Sequence, residues 1–182
     1  MHRLGACCLH ELPAAADYQT FELNGRTVLV FANTSANHSE AQAICRREGG
    51  DLFSPYTRQE NQWMVDTFAP FVGQTEPLSN PLHVSVWIGM VSRSKTPTND
   101  ASTFVWYRTG QPPSYDSWID GEPTARGAVT QSAPEPAGEP VCVIDIIWQA
   151  PSDHAAWPAF PGGWDDDFCK FTKAFACEVY NR

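Results

Sequence analysis

The chain has 182 residues, 42% of them hydrophobic and seven of them Trp, with a formal net charge of -9 at pH 7. That length and apolar content fit one globular domain with a substantial core and argue against a disordered chain. Twelve Lys and Arg against twenty-one Asp and Glu make no basic stripe. The composition therefore argues against nucleic acid as a partner and suits a protein that recruits cations.

Six cysteines point to an oxidising compartment, and so to an extracellular or secreted protein or the ectodomain of a membrane protein. Sequence alone leaves their pairing open. No stretch approaches the length of a membrane-spanning helix. Met1 to Leu12 carries an Arg and a short apolar run, but His10 and Glu11 interrupt it too soon for a signal peptide.

Taken in order, Phe21 to Phe31 reads as a hairpin turning at Asn24-Gly25, the strongest two-residue signal for a type I′ turn. A helix follows. Asn37 and Glu40 have capping-box spacing, Ala41, Ile44 and Cys45 form an apolar face, and Gly49-Gly50 supplies the stop. A second helix repeats the grammar, with Thr57 and Glu60 as the box, Trp63, Met64, Thr67 and Phe68 on one face, and Pro70 at the end. Val84–Ile88, Phe104–Tyr107, the nearly continuous apolar run Val141–Trp148, and Ala174–Val179 are predicted strands. Gln111–Pro113, Ala125–Pro140 and Ala150–Gly163 read as loops, and loops of the latter two lengths tend to be functional. Strands, two helices, then strands with long loops make an α+β domain.

The densest chemistry lies in Gly162-Gly163-Trp164-Asp165-Asp166-Asp167-Phe168-Cys169. Adjacent carboxylates repel, so a folded chain leaves them exposed or gives them a cation, and hard oxygen donors suit Ca²⁺. The alternative is a solvated acidic turn, with the glycine pair lending the backbone freedom.

The order of these features resembles that of a C-type lectin-like domain. The resemblance rests on the hairpin, the Cys45 helix, the second helix, Trp87-Ile88-Gly89 and Trp118-x-x-Gly121-Glu122-Pro123. It continues through Cys142, Trp164-Asp165-Asp166-x-x-Cys169 and Cys177-Glu178. It runs from Tyr18 to the C-terminus, leaving residues 1–17 as an N-terminal extension and 18–182 as the domain. It implies a C-type lectin-like fold with disulfides Cys45–Cys177 and Cys142–Cys169. Cys7 and Cys8 are left over for free thiols, partners elsewhere or interchain bridges, of which a disulfide-linked oligomer is the favoured reading.

The resemblance also implies a Ca²⁺ site built from a Glu-Pro-Asn loop with a cis proline, a Glu before the third cysteine, and a Trp-Asn-Asp strand. Here these become Glu122-Pro123-Thr124, the displaced Glu139, and Trp164-Asp165-Asp166, giving Glu122, Thr124, Glu139, Asp165 and Asp166 as candidate ligands. Thr124 and Asp165 replace two Asn. A carboxylate only accepts hydrogen bonds, so the amide donors that read mannose-type diols are gone. Trp157 is the candidate stacking surface for a sugar, Trp148 and Trp164 read as core residues, and Asp167 reads as a surface acid. The expected function is calcium-dependent binding of a carbohydrate or glycoprotein, in recognition or adhesion. The alternative is a domain that binds a protein ligand through its long loops. Two acids such as Glu122 and Asp165 would also suit a glycosidase. No nucleophile with an orienting partner accompanies them, and the family is not enzymatic as a rule.

Overall fold

The computed structural model describes residues 18–72, 83–94, 99–124, 141–148 and 162–180. Cys7, Cys8, Glu139, His154, Trp157, Phe160 and most of the two long insertions lie outside them.

The first hairpin pairs β1 (Gln19–Leu23) with β2 (Arg26–Ala36) in antiparallel register. Its turn needs two residues that tolerate positive φ, and Asn24 and Gly25 adopt 52° and 75°. Helix α1 (His38–Arg47) begins with the expected box: the Asn37 side chain accepts from the Glu40 amide at 3.0 Å, and Glu40 accepts from the Asn37 amide at 3.1 Å. Helix α2 (Arg58–Phe68) repeats it with Thr57 and Glu60, each bond 3.2 Å long. Pro70 does not simply end α2; it carries the chain into a 3-10 turn, Ala69–Phe71.

The remaining strands are β3 (Gly50–Leu52), β4 (His83–Ser92), β5 (Phe104–Trp106), β6 (Val141–Trp148), β7 (Gly162–Phe168) and β8 (Lys173–Val179). They form one sheet in the order β1-β2-β8-β4-β6-β7, with β3 added to β8 and β5 to β4. All pairs are antiparallel except β4–β8. The α+β expectation holds.

Both faces of the sheet are buried, and strand alternation divides the side chains between two cores. Val28 and Val30 of β2, Val86 and Ile88 of β4 and Val143 of β6 pack with Met64, Val65 and Phe68 of α2. The intervening Leu29, Phe31, Trp87 and Ile144 pack with Ala41 and Cys45 of α1. The disulfides Cys45–Cys177 and Cys142–Cys169 form as expected, each with Cα atoms 5.1 Å apart. On the loop-entropy account they stabilise by about 5 and about 3.5 kcal/mol, the first tying α1 to β8.

A charged group holds the α2 side together. The Arg26 guanidinium bridges Glu60 and Glu178, both buried, and lies over the Phe53 and Tyr56 rings. Glu60 therefore caps α2 with one oxygen and pairs with Arg26 through the other. Replacing Arg26 leaves two buried carboxylates without their cation. Arg26→Met is expected to cost about 3–5 kcal/mol in urea unfolding at pH 7; a loss under about 1 kcal/mol would show the bridge to be dispensable.

Candidate functional site

The site is built on β7, which among the described residues is the last strand of the sheet. Trp164 anchors it. The indole is fully buried, its Nε1 donates to Asn61 Oδ1 of α2 at 2.8 Å, and its ring meets Trp106, Tyr115 and Trp118. Tyr115 reinforces this contact by donating to Pro55 O at 2.7 Å and to Asn61 Oδ1 at 3.3 Å.

Residues 117–119 run along the outer edge of β7. The Trp164 amide donates to Ser117 O at 2.8 Å, and the Ile119 amide to Trp164 O at 3.0 Å. The chain then turns, with the Glu122 amide on Ile119 O and Gly121 at φ 90°. The Glu122-Pro123 bond is cis, as the resemblance implies. The Thr124 amide closes the loop by donating to Asp166 Oδ1 at 2.7 Å. This path lays Glu122 against β7.

Neighbouring residues of a strand point to opposite faces, yet at this edge one carboxylate oxygen from each of Glu122, Asp165 and Asp166 comes within 4.8 Å of the others. Asp165 and Asp166 are inaccessible to water. Glu122 Oε2 and both Asp165 oxygens are buried without a hydrogen-bond partner. Burial, then the charges of Glu122 and Asp166, push the Asp165 carboxyl up to about 9. Burial also raises Glu122. Three converging hard oxygen donors, with the orphaned oxygens of Glu122 and Asp165 among them, fit a calcium ion by chemistry and spacing.

Two expectations need correction. The solvated turn given as the alternative for the acidic run does not form: the run is strand β7, fully paired with β6 from Val141↔Phe168 to Ile147↔Gly162, so the predicted loop Ala150–Gly163 stops short of Gly162. Gly162 and Gly163 serve close packing rather than turning. A Cβ on Gly162 would stand 2.4 Å from Val65 Cγ2, and one on Gly163 2.8 Å from Ile119 Cγ1. Asp167 is not a surface acid. It is 1% exposed, its Oδ1 accepts from the Phe168 amide at 2.8 Å, and Lys173 Nζ lies 3.3 Å from its Oδ2. The β6 pairing forces this, because it sets Asp167 opposite Cys142 in the interior. Trp148 and Trp164 are core residues, as expected.

Asp145 is the residue the sequence reading passed over. It faces Trp164 across β6–β7 and is fully buried, its oxygens making no hydrogen bond of good geometry, although the Asn61 side chain and the Gly163 backbone lie near enough to favour the ionised form slightly. Burial pushes its carboxyl up to about 8. The available signal was a lone acid in an eight-residue strand that is otherwise apolar.

The chain matches the C-type lectin domain family over residues 34–179, and it belongs to that family. It is 28% identical to salivary C-type lectin 1 of Aedes albopictus, over 98% of this chain and 96% of that protein. Among solved structures it resembles the C-type lectin domain of murine dendritic cell inhibitory receptor 2 in complex with N-glycan. That likeness has a TM-score of 0.57 at 16% identity and covers 89% of this chain and 96% of the other. It also resembles a calcium-independent type II antifreeze protein, with a TM-score of 0.52 at 20% identity over 87% and 89% of the two chains. The fold is therefore that of a C-type lectin domain, a class of domains that usually bind Ca²⁺ and are generally not enzymes.

Asp145 gives a pH test. In the unfolded chain it ionises near pH 4, whereas in the fold it resists ionisation to about 8. Its contribution to stability is thus present below pH 4 and lost as pH rises towards 8. Asp145→Asn is expected to gain on wild type across that window, by several kcal/mol at pH 8 on the order-of-magnitude linkage estimate. Melting curves at pH 4.5, 6 and 8 check this, and parallel pH profiles for the two proteins would contradict it.

Proposed function

We propose that this domain is a calcium-dependent carbohydrate-binding module, acting outside the cell in recognition or adhesion. The observation that carries the reading is the convergence of Glu122 Oε2 and both oxygens of the buried Asp165, all without hydrogen-bond partners, beside Asp166. Ionised carboxylates without water or hydrogen-bond partners are costly in an interior. A divalent cation offsets that cost by opposing several negative charges together.

Glu122, Asp165 and Asp166 would hold the ion, with Thr124 and Glu139 as further ligands. When bound, calcium supplies coordination positions for vicinal sugar hydroxyls. The chain's own part is to fix the three carboxylates, through the cis Glu122-Pro123 loop and the Trp164 anchor, and to accept hydrogen bonds from those hydroxyls. Trp157 would offer a stacking surface. The partner is a carbohydrate or glycoprotein, in keeping with the N-glycan complex of the murine relative. Residues 1–17 are an N-terminal extension whose Cys7 or Cys8 would link copies through interchain disulfides.

One observation favours a second reading. With Thr124 and Asp165 in place of two Asn, the site lacks the amide donors that read mannose-type diols. A protein ligand held by the long loops, with or without calcium, is the alternative. The likeness to a calcium-independent antifreeze protein is compatible with it.

Calcium is expected to raise the melting temperature and EDTA to reverse the shift. A hundredfold excess over Kd would add about 2.7 kcal/mol. Because the free Asp165 carboxyl titrates near 9, binding at pH 7 should release protons, and affinity should rise with pH. Calorimetric titration in buffers of different ionisation enthalpy reads that release directly. Absence of any melting shift at millimolar calcium would leave the protein-binding reading in front.

A further inference from the structure

A groove of about 490 Å³ opens between α2, residues 116–120 and the Gly162–Gly163 start of β7, on the two segments that lead into the acid cluster. Gly163 stands two residues before Asp165 on an extended strand, and Asp120 two before Glu122. The groove therefore begins about 7 Å along the chain from the acids, comparable with the span of one hexose ring. We infer that it is a second sugar subsite, taking the residue glycosidically joined to the one at the acid cluster. The inference rests on the carbohydrate reading above and extends it from a single sugar to an oligosaccharide.

The lining selects a neutral polyol over other ligands. Arg58 and Gln62 bring donors to the rim, and Asp116 and Asp120 bring acceptors. Sugar hydroxyls both donate and accept, so such a mixture suits them. The rim carries two acids and one guanidinium, a poor match to a phosphate and, with Arg58 present, to an ammonium group. Arg58 is also committed, donating to Asp116 O at 3.0 Å and lying over the Tyr115 ring.

The floor suits the apolar face of a pyranose. Gly162 and Gly163 present backbone there, and Val65 and Ile119 pack where their side chains would stand. Trp118, half-buried with its ring edge-on to Phe104 and Trp164, adds indole surface to the wall. Behind the floor, the buried Asp145 Oδ1 lies 3.2 Å from where a Gly162 Cβ would stand. All four rim side chains are exposed, and Gln62, which donates to Asp66 Oδ1 at 2.9 Å, and Asp120 lie outside the core.

The test compares monosaccharides with disaccharides by calorimetry at saturating calcium. The probes are the methyl glycosides of mannose, galactose and N-acetylglucosamine, set against mannobiose, galactobiose and chitobiose. A few net hydrogen bonds in the groove are worth about tenfold in affinity, so the best disaccharide should exceed its monosaccharide by that factor. The double variant Gln62→Ala, Asp120→Ala should erase the gain while leaving monosaccharide and calcium affinity unchanged. Monosaccharide binding without a gain from the second residue, or a gain that survives in the variant, would overturn the groove and leave the calcium reading intact. Disaccharide binding that persists in EDTA but is lost in the variant would support the groove and overturn the calcium reading. No binding of any probe would overturn both.

Discussion

Three carboxylates held within reach of one another, two of them out of water and one half-buried, are the constraint on which the proposed ligand-binding end of this fold depends. Like charges at that spacing resist ionising together, and the desolvation of Asp165 adds to the resistance. Nothing in the local sequence relieves it. Asp167, the third acid of the run, is the exception, because Lys173 reaches it from β8. The same short strand thus carries one acid neutralised by Lys173 and another, Asp165, whose oxygens have no hydrogen-bond partner.

The scaffold keeps these acids from separating. Trp164 is fixed through Asn61 to α2, and the 117–124 segment is laced to β7 by backbone hydrogen bonds and by the Thr124 amide on Asp166. The Cys142–Cys169 disulfide closes the far end of the β6–β7 hairpin. Helix α2 is in turn held by Arg26, whose two buried acid partners lie on α2 and β8. Charge satisfied inside the domain at Arg26 and Asp167 contrasts with charge left partnerless at its edge. On the proposed reading, that contrast makes Glu122 and Asp165 the ligand-facing groups.

Much of this was legible in the sequence. Both capping boxes, the Asn24-Gly25 turn and the apolar runs of β4 and β6 are local signals, and local signals survive folding. The disulfides and the cis proline came from family resemblance, since pairing and isomer state are set by tertiary context. The failures share one cause. Whether an Asp is exposed depends on the strand opposite it, so Asp167 could not be placed without knowing that β7 pairs with β6. The same pairing turned Gly162-Gly163 from an apparent hinge into a site of close packing. Asp145 was overlooked because a single acid hardly changes the apolar character of the run that contains it.

The most direct test of this account is a crystal structure of the domain grown in calcium, read at the Glu122, Asp165 and Asp166 carboxylates. The account requires one cation with oxygens from all three at about 2.3–2.6 Å. Carboxyl groups hydrogen-bonded to one another through a shared proton, with no ion between them at saturating calcium, would contradict it.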